Sequence, residues 1–469
     1  MKIADCLWAI ICPTVVNMNM ATSTNFLLRG TIWTLGAYGV GTGLRFVTNV
    51  VLARLLTPEI FGTMLIVYSL RTGIEMISDI GIGQNLVQSK NADDPDFYNT
   101  AWSLQLIRSL ILWLAFSAAA IPMAHFYQSP ILVYIVPVTA LSIIFAGLNS
   151  VGRSLMAKRL QIAKLNLFET ILAVVGATAL IVFSWLSPTV WALVLGNLFG
   201  SFVSMIGSYF LVRDVKQRFH ISKGPALEII HFGKWIFISS MVYFLSTYID
   251  RFYLGKVVPL EMLGIYGIAR SISDLSGNLV VRLGSVVLFP FVASQAHLPR
   301  AELIRHLSPL RAKFLLLTGI GFSVFITTAD WLIRLVYDER YQAATWILPV
   351  LILGSWFTVL ATLNESALLG IGKPSYAAAA NSLKLIFLIV GLVLGTTTYG
   401  LLGGVVVVAM ADLCRYAPTL VGQIRERFSF GRQDLLVTLT VLLTISVFEY
   451  ARYAFGFGTS FDTLPSAGR

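Results

Sequence analysis

Charge is what this chain has least of: 12% of its 469 residues are Asp, Glu, Lys or Arg, about half the share in an ordinary soluble domain. Hydrophobic residues make up 57%, gathered into runs of roughly twenty, the length that crosses a bilayer core. That excludes a soluble globular domain and predicts an all-α polytopic membrane protein. Cysteine is scarce too. Cys6, Cys12 and Cys414 are odd in number and lack metal-ligand spacing, so neither a disulfide framework nor a zinc site is expected. The five histidines (His125, His220, His231, His297 and His306) fall in loops or at helix ends without a paired helical spacing. No metal and no cofactor is expected.

Hydropathy divides the chain into thirteen apolar segments. Six fall in a first half, residues 25–212: about 30–56, 61–86, 100–123, one ending near Ser150, 168–186, and one ending near Val212. A polar connector, 213–226, leads to a second half, 227–422, with segments over about 227–254, 262–293, 314–336, 345–369, 375–397 and 400–422. A basic loop, a thirteenth segment over about 435–455 and a polar tail complete 423–469. Lys2 followed by LWAIICPTVV lacks a convincing cleavage site, so residues 1–24 are expected to be an N-terminal extension. The first segment is glycine-rich (Gly36, Gly39, Gly41 and Gly43), which predicts close approach by another backbone or a bulky substrate.

The net charge of +11 is distributed as a topology signal. With the N-terminus inside, the loops on that side hold Arg153, Lys158, Arg159 and Lys164, then Arg213, Lys216, Arg218 and Lys223. Arg300, Arg305, Arg311 and Lys313 follow, then Arg425, Arg427 and Arg432. The opposite loops hold only Arg54, Arg251, Lys256, Arg334 and Arg340. Basic loops stay in the cytoplasm, so a cytoplasmic N-terminus is expected and the basic pI calls for no nucleic acid. Leu52, Arg54, Glu59 and Gly62 match Leu254, Lys256, Glu261 and Gly264 at a constant offset of 202. An even number of segments separates the copies, which predicts parallel repeats about an axis along the membrane normal.

The phrases LARLLTPEIFG, SDIGIGQNLVQSK and the Asn99-Thr100-Ala101-Trp102 start of the third segment resemble bacterial polysaccharide-precursor flippases. These are the Wzx-type members of the multidrug/oligosaccharidyl-lipid/polysaccharide exporter superfamily. YIDRFYLGKVV and LGIYGIARSISDL resemble the start of that family's second lobe. The likeness runs from about Asn25 to Gln423. It implies two six-helix lobes around a central cavity that opens alternately to each side of the bacterial inner membrane. The substrates it implies are undecaprenyl-pyrophosphate-linked oligosaccharide repeat units for exopolysaccharide, O-antigen or capsule. Membrane lipids, a polymerase and export machinery are the implied partners. The extension at the front and the single extra helix at the end depart from the pattern.

A pyrophosphate crossing the bilayer needs cations along its route, and arginine offers bidentate contacts to phosphate oxygens. Arg45, Arg71, Arg108, Arg270, Arg282 and Lys384 lie within apolar segments and are the candidate substrate-binding residues. Arg71 with Glu75, and Arg270 with Asp274, have the i,i+4 spacing of an intrahelical pair. Arg45 has no acid one turn away, which makes it the better phosphate candidate. Glu75, Asp79, Asp274, Glu365 and Asp412 are candidates for a coupling ion or proton. The structural alternatives are that Asp79 caps the glycine break and that Asp412 pairs with Arg415, three residues on. Trp33, Tyr38, Tyr68, Tyr243, Tyr248, Tyr266 and Trp356 are available for stacking on sugars, though interfacial anchoring and packing are the commoner uses. The surplus of arginine argues against efflux of cationic drugs; export of a peptidoglycan precursor is separated less well. A membrane polymerase or glycosyltransferase would need an acid cluster on a soluble loop. Asp338-Glu339 is too small for that, and Asp93-Asp94-Pro95-Asp96 reads as a helix start.

Overall fold

The computed structural model describes residues 21–464, apart from 80, 90, 160, 213–214 and 296–297. Most of the expected N-terminal extension, with Cys6 and Cys12, lies outside these residues, as do Arg213 and His297. The described chain is helical. In order, the elements are α1 (Ala21–Leu55), α2 (Pro58–Ile77), α3 (Ile82–Gln88), α4 (Pro95–Ala118), α5 (Ala120–Phe126), α6 (Leu132–Leu148), α7 (Gly152–Lys158), α8 (Ile162–Leu186) and α9 (Val190–Ser208). Then come α10 (Lys223–Val257), α11 (Leu260–Ser294), α12 (Arg300–Val336), a 3₁₀ turn (Glu339–Tyr341), α13 (Ala344–Gly370), α14 (Ser375–Arg425) and α15 (Gly431–Ala454).

Among the described residues, eight helices are by length and composition apolar enough to cross a membrane, α4 and α5 counting as one, or nine if α6 and α7, bent by 49°, form one span. One of the eight, α14, is broken by non-helical backbone at Tyr399 and Gly400, at the turn expected between 397 and 400. Helices α1, α10 and α11, each 35 residues, are long enough but carry Arg45, Asp250 with Arg251, and Arg270, Asp274 and Arg282 in their interiors.

Local chemistry explains the boundaries. Thr57 is extended and Pro58 opens α2, where a missing N–H costs nothing. Gly81 has φ 65°, a left-handed conformation natural to glycine, and its N–H donates to Asp79 Oδ1 at 2.9 Å. The segment expected over 61–86 is therefore two helices, one ending at Ile77 and the next starting at Ile82. Asp94 caps α4 by accepting from the Asp96 N–H at 3.2 Å.

The basic loop expected before 314 is instead the first turns of α12, which starts at Arg300. Arg311, assigned to that loop by its charge, is buried against Asp434 with Asn364 and Gln433. Its partners come from α13 and α15, so only folding could reveal it. A second buried pair, Arg452–Asp330 at 2.8 Å, joins the far ends of α15 and α12. Helix α2 packs on both α10 and α11, so the two chain halves meet along it.

Candidate functional site

A cavity of about 1140 Å³ is lined by α1, α2, the end of α6, α7, α8, α9, α10 and α11. Five arginines face it, Arg45, Arg71, Arg153, Arg251 and Arg282, against two acids, Glu169 and Asp274. Its volume exceeds that of an ordinary small-molecule pocket, about 300–1,000 Å³. The α1 glycines contribute room: a Cβ added at Gly36, Gly39, Gly41 or Gly43 would meet nothing within 4 Å. Of the two approaches expected there, by a backbone or by a bulky substrate, no described backbone makes the first, and Gly41 lines the cavity.

The arginines differ in how far they are already engaged. Arg71 pairs with Glu75 at 3.1 Å, the pair its spacing suggested. Arg153 reaches Glu169 at 3.5 Å and Ser204 at 2.8 Å. Arg251 pairs with Asp274 at 3.0 Å and lies over the Tyr248 ring at 4.5 Å. Arg282 lies over Tyr38 at 4.6 Å. Arg45 has no ion-pair or hydrogen-bond partner among the described residues, and it is exposed to the cavity. A planar guanidinium held this way presents a fork of donors to an oxyanion.

Other sequence candidates lie elsewhere. Arg270 sits behind the wall, 3.2 Å from Asp274 and 4.0 Å from the buried Asp250, which also accepts from the Tyr266 hydroxyl. Arg108, Glu75 and Asp79 line an adjoining cavity of about 470 Å³ that shares Arg71 and Arg153 with the first. There Arg108 is turned onto the Glu75 carbonyl at 2.5 Å and the Ser78 hydroxyl at 2.8 Å. Lys384 lies apart, bonded at 3.0 Å to both oxygens of Asp412. Arg415 stands 3.6 Å from Asp412 and bonds Glu365. These four make a charge-balanced cluster between α13 and the two parts of α14. Of the aromatics, Tyr38 and Tyr248 line the large cavity, Tyr266 and Trp356 are core, and Trp33 has no described side chain.

Arg153 and Arg251 line the cavity though neither was a sequence candidate for substrate binding: Arg153 was expected in a loop and Arg251 near a helix end. Arg251 carried a usable signal: it follows Tyr248 and Asp250 on α10, before the last turn of an apolar helix.

Comparison with known proteins shows the family and the fold. Residues 51–346, more than half the chain, match the family described as "Polysaccharide biosynthesis protein". The chain belongs to this family, the Wzx-type polysaccharide flippases of the multidrug/oligosaccharidyl-lipid/polysaccharide exporter superfamily. It is 22% identical over 332 residues to the lipopolysaccharide biosynthesis protein WzxC of Escherichia coli (strain K12), covering 69% of this chain and 65% of that one. It is 23% identical over 406 residues to the succinoglycan biosynthesis transport protein ExoT of Rhizobium meliloti (strain 1021), covering 86% and 81%. In fold it resembles the lipid II flippase MurJ in an inward closed conformation, with TM-score 0.73, 14% identity and coverage of 92% and 94%. An inward-facing multidrug resistance MATE family transporter follows at 0.65, with 15% identity and coverage of 90% and 98%. The chain is a multi-pass membrane transport protein, not an enzyme.

Proposed function

We propose that this protein carries undecaprenyl-pyrophosphate-linked oligosaccharide repeat units across the bacterial inner membrane by alternating access, with its N-terminus in the cytoplasm. The observation that carries the reading is the five-arginine cavity. Its lining charge of five against two suits a dianionic or more highly charged pyrophosphate and repels a cationic drug. Asn49, Asn166, Asn197 and Asn278, also on the wall, offer neutral donors and acceptors of the kind that sugar hydroxyls use.

In this reading Arg45, Arg71 and Arg282 hold the pyrophosphate together with Arg153 and Arg251. Arg108, Arg270 and Lys384 support the wall or engage substrate in another state of the cycle. Glu75, Asp79 and Asp274, which border the two cavities, are the proposed carriers of a coupling ion, ahead of the paired Glu365 and Asp412. The unit delivered passes to a polymerase and export machinery.

The test is complementation of a bacterium lacking its own repeat-unit flippase, with surface polysaccharide as the readout. Arg45→Ala is expected to lower output at unchanged protein level, since one charged hydrogen bond is worth about 1.5–3 kcal/mol. Arg45→Lys is expected to recover only part, because an ammonium is a point charge without the fork. Export that survives Arg45→Ala, Arg251→Ala and Arg282→Ala combined would refute the cavity as the route.

A further inference from the structure

The four-residue repeat spaced by 202 recurs in space as a reciprocal contact between the chain halves. A Cβ added at Gly62 would lie 1.9 Å from the Leu260 carbonyl oxygen, and one added at Gly264 would lie 1.8 Å from that of Pro58. Gly264 is Gly62 shifted by 202, and Leu260 is Pro58 shifted by 202. The first turns of α2 and α11 therefore lie backbone on backbone in a two-fold-like arrangement that only glycine permits.

The cations of the repeat follow the same rule. Arg54, at the end of α1, donates through Nη2 to the Val336 carbonyl at 3.1 Å; Val336 is the last residue of α12 in the other half. Its counterpart Lys256, at the end of α10, donates to the Phe126 carbonyl at 2.5 Å and lies 4.8 Å from the centre of that ring; Phe126 is the last residue of α5. Each half thus places a cation on the carbonyl end of a helix in the other, where the unsatisfied acceptors and the helix dipole both favour it. Arg340 adds a third tie, to the Ala53 carbonyl at 3.1 Å. Both cations are exposed, so water can take either partner in exchange. All of these contacts lie at the end of the bundle opposite the basic connectors, just beyond Leu52, where the large cavity stops. At its other end the cavity reaches Arg153 and Asn166, beside those connectors.

We infer that the Gly62–Gly264 contact and its paired Arg54 and Lys256 ties form a releasable gate that closes the cavity at the end away from the basic connectors. The ties are few, exposed and made to backbone, so they break without leaving a buried charge; at Gly62 and Gly264 the helix starts meet backbone on backbone, and further along α2 Ile66 and Leu65 pack against Gly255 and Gly267. The inference gives a position to one gate of the proposed transport cycle and rests on that reading for its purpose, though not for its geometry.

The test measures access, not export. In a chain with its three cysteines replaced by serine, Ser271→Cys on the cavity wall is labelled with a membrane-impermeant maleimide in right-side-out and inside-out vesicles. With the gate closed, labelling comes only from the side of the basic connectors. Arg54→Gln with Lys256→Gln is expected to raise the rate from the gate side about tenfold, the effect of losing two exposed charged contacts from a two-state equilibrium. Gly62→Leu, which wedges the helix starts apart, is expected to do the same. Should Gly62→Leu fail to fold, the Gln pair decides, because it removes only surface contacts. Unchanged labelling from the gate side in the Gln pair overturns the gate. Altered labelling in a chain that exports no glycan in any host keeps the gate and removes the transport reading instead.

Discussion

Removing one side of the Arg311–Asp434 pair is expected to destabilise the second half of the chain severely, while removing both sides together is not. Arg311 is buried on α12 and donates to Asp434, to Gln433 Oε1 at 3.0 Å and to Asn364 Oδ1 at 2.7 Å. Asp434 also accepts from Asn364 at 3.2 Å and from the Tyr416 hydroxyl at 2.9 Å. Four helices, α12, α13, α14 and α15, are joined through these side chains. Arg311→Met leaves a buried carboxylate with two neutral donors and no cation, and breaking a buried pair in this way costs about 3–5 kcal/mol. Asp434→Asn leaves the guanidinium uncompensated and falls in the same range. In Arg311→Met/Asp434→Leu both desolvation costs vanish, and such replacements are often neutral or stabilising by about 1–4 kcal/mol. The Asn364 and Tyr416 groups left unpaired offset part of that gain, by about 1–3 kcal/mol each, so a double variant near wild type is expected. Thermal unfolding of the detergent-solubilised protein, followed by size-exclusion chromatography, measures all three. A single Arg311→Met within about 1 kcal/mol of wild type would refute the argument, as would a double variant as unstable as the sum of the singles.

Three further outcomes follow from the same geometry. Gly403→Val, whose Cβ would lie 2.0 Å from the Gly395 carbonyl oxygen, is expected to cost about 1–3 kcal/mol or more by forcing apart the two parts of α14. Gly36→Ala, with nothing within 4 Å, is expected to gain up to about 1 kcal/mol, so equal Tm shifts in the two would contradict the packing described. The hydrogen bond from Arg340 holds the Asp338 carboxyl below the usual carboxylate range, with Arg54 acting in the same direction. A lowered carboxylate pKa keeps this contact whole above the unfolded value near 3.9 and loses it as the pH falls through the folded value. The carboxyl signal of Asp338, followed by NMR on the solubilised protein, should accordingly stay flat from neutral pH down to about 5 and move only below about 4; a midpoint near pH 6 would contradict the pairing with Arg340. For the orientation, Glu339→Cys is expected to react with an impermeant maleimide in intact spheroplasts and Lys223→Cys only after lysis; the reverse pattern would invert the topology.

The hydrophobic runs determined the class, because bilayer thickness acts on the chain one segment at a time. The boundaries at Thr57-Pro58, Asp79–Gly81 and Tyr399–Gly400 were legible for the same reason: capping, proline and left-handed glycine are local. So were the Arg71–Glu75 and Arg270–Asp274 pairs, which lie within one helix turn. What the tertiary structure decided is which charges share a space. Lys384, expected to face substrate, lies against Asp412, 28 residues on and across the α14 break. Arg153, which hydropathy assigned to a loop, and Arg251, which it assigned to a helix end, line the cavity. Arg311 looked like a surface cation until Asp434, 123 residues later, was brought beside it. The offset of 202 showed that the two stretches are alike, and only folding showed that they touch. Sequence spacing reports neighbours within a turn of helix, whereas burial and charge pairing between helices depend on how the bundle closes.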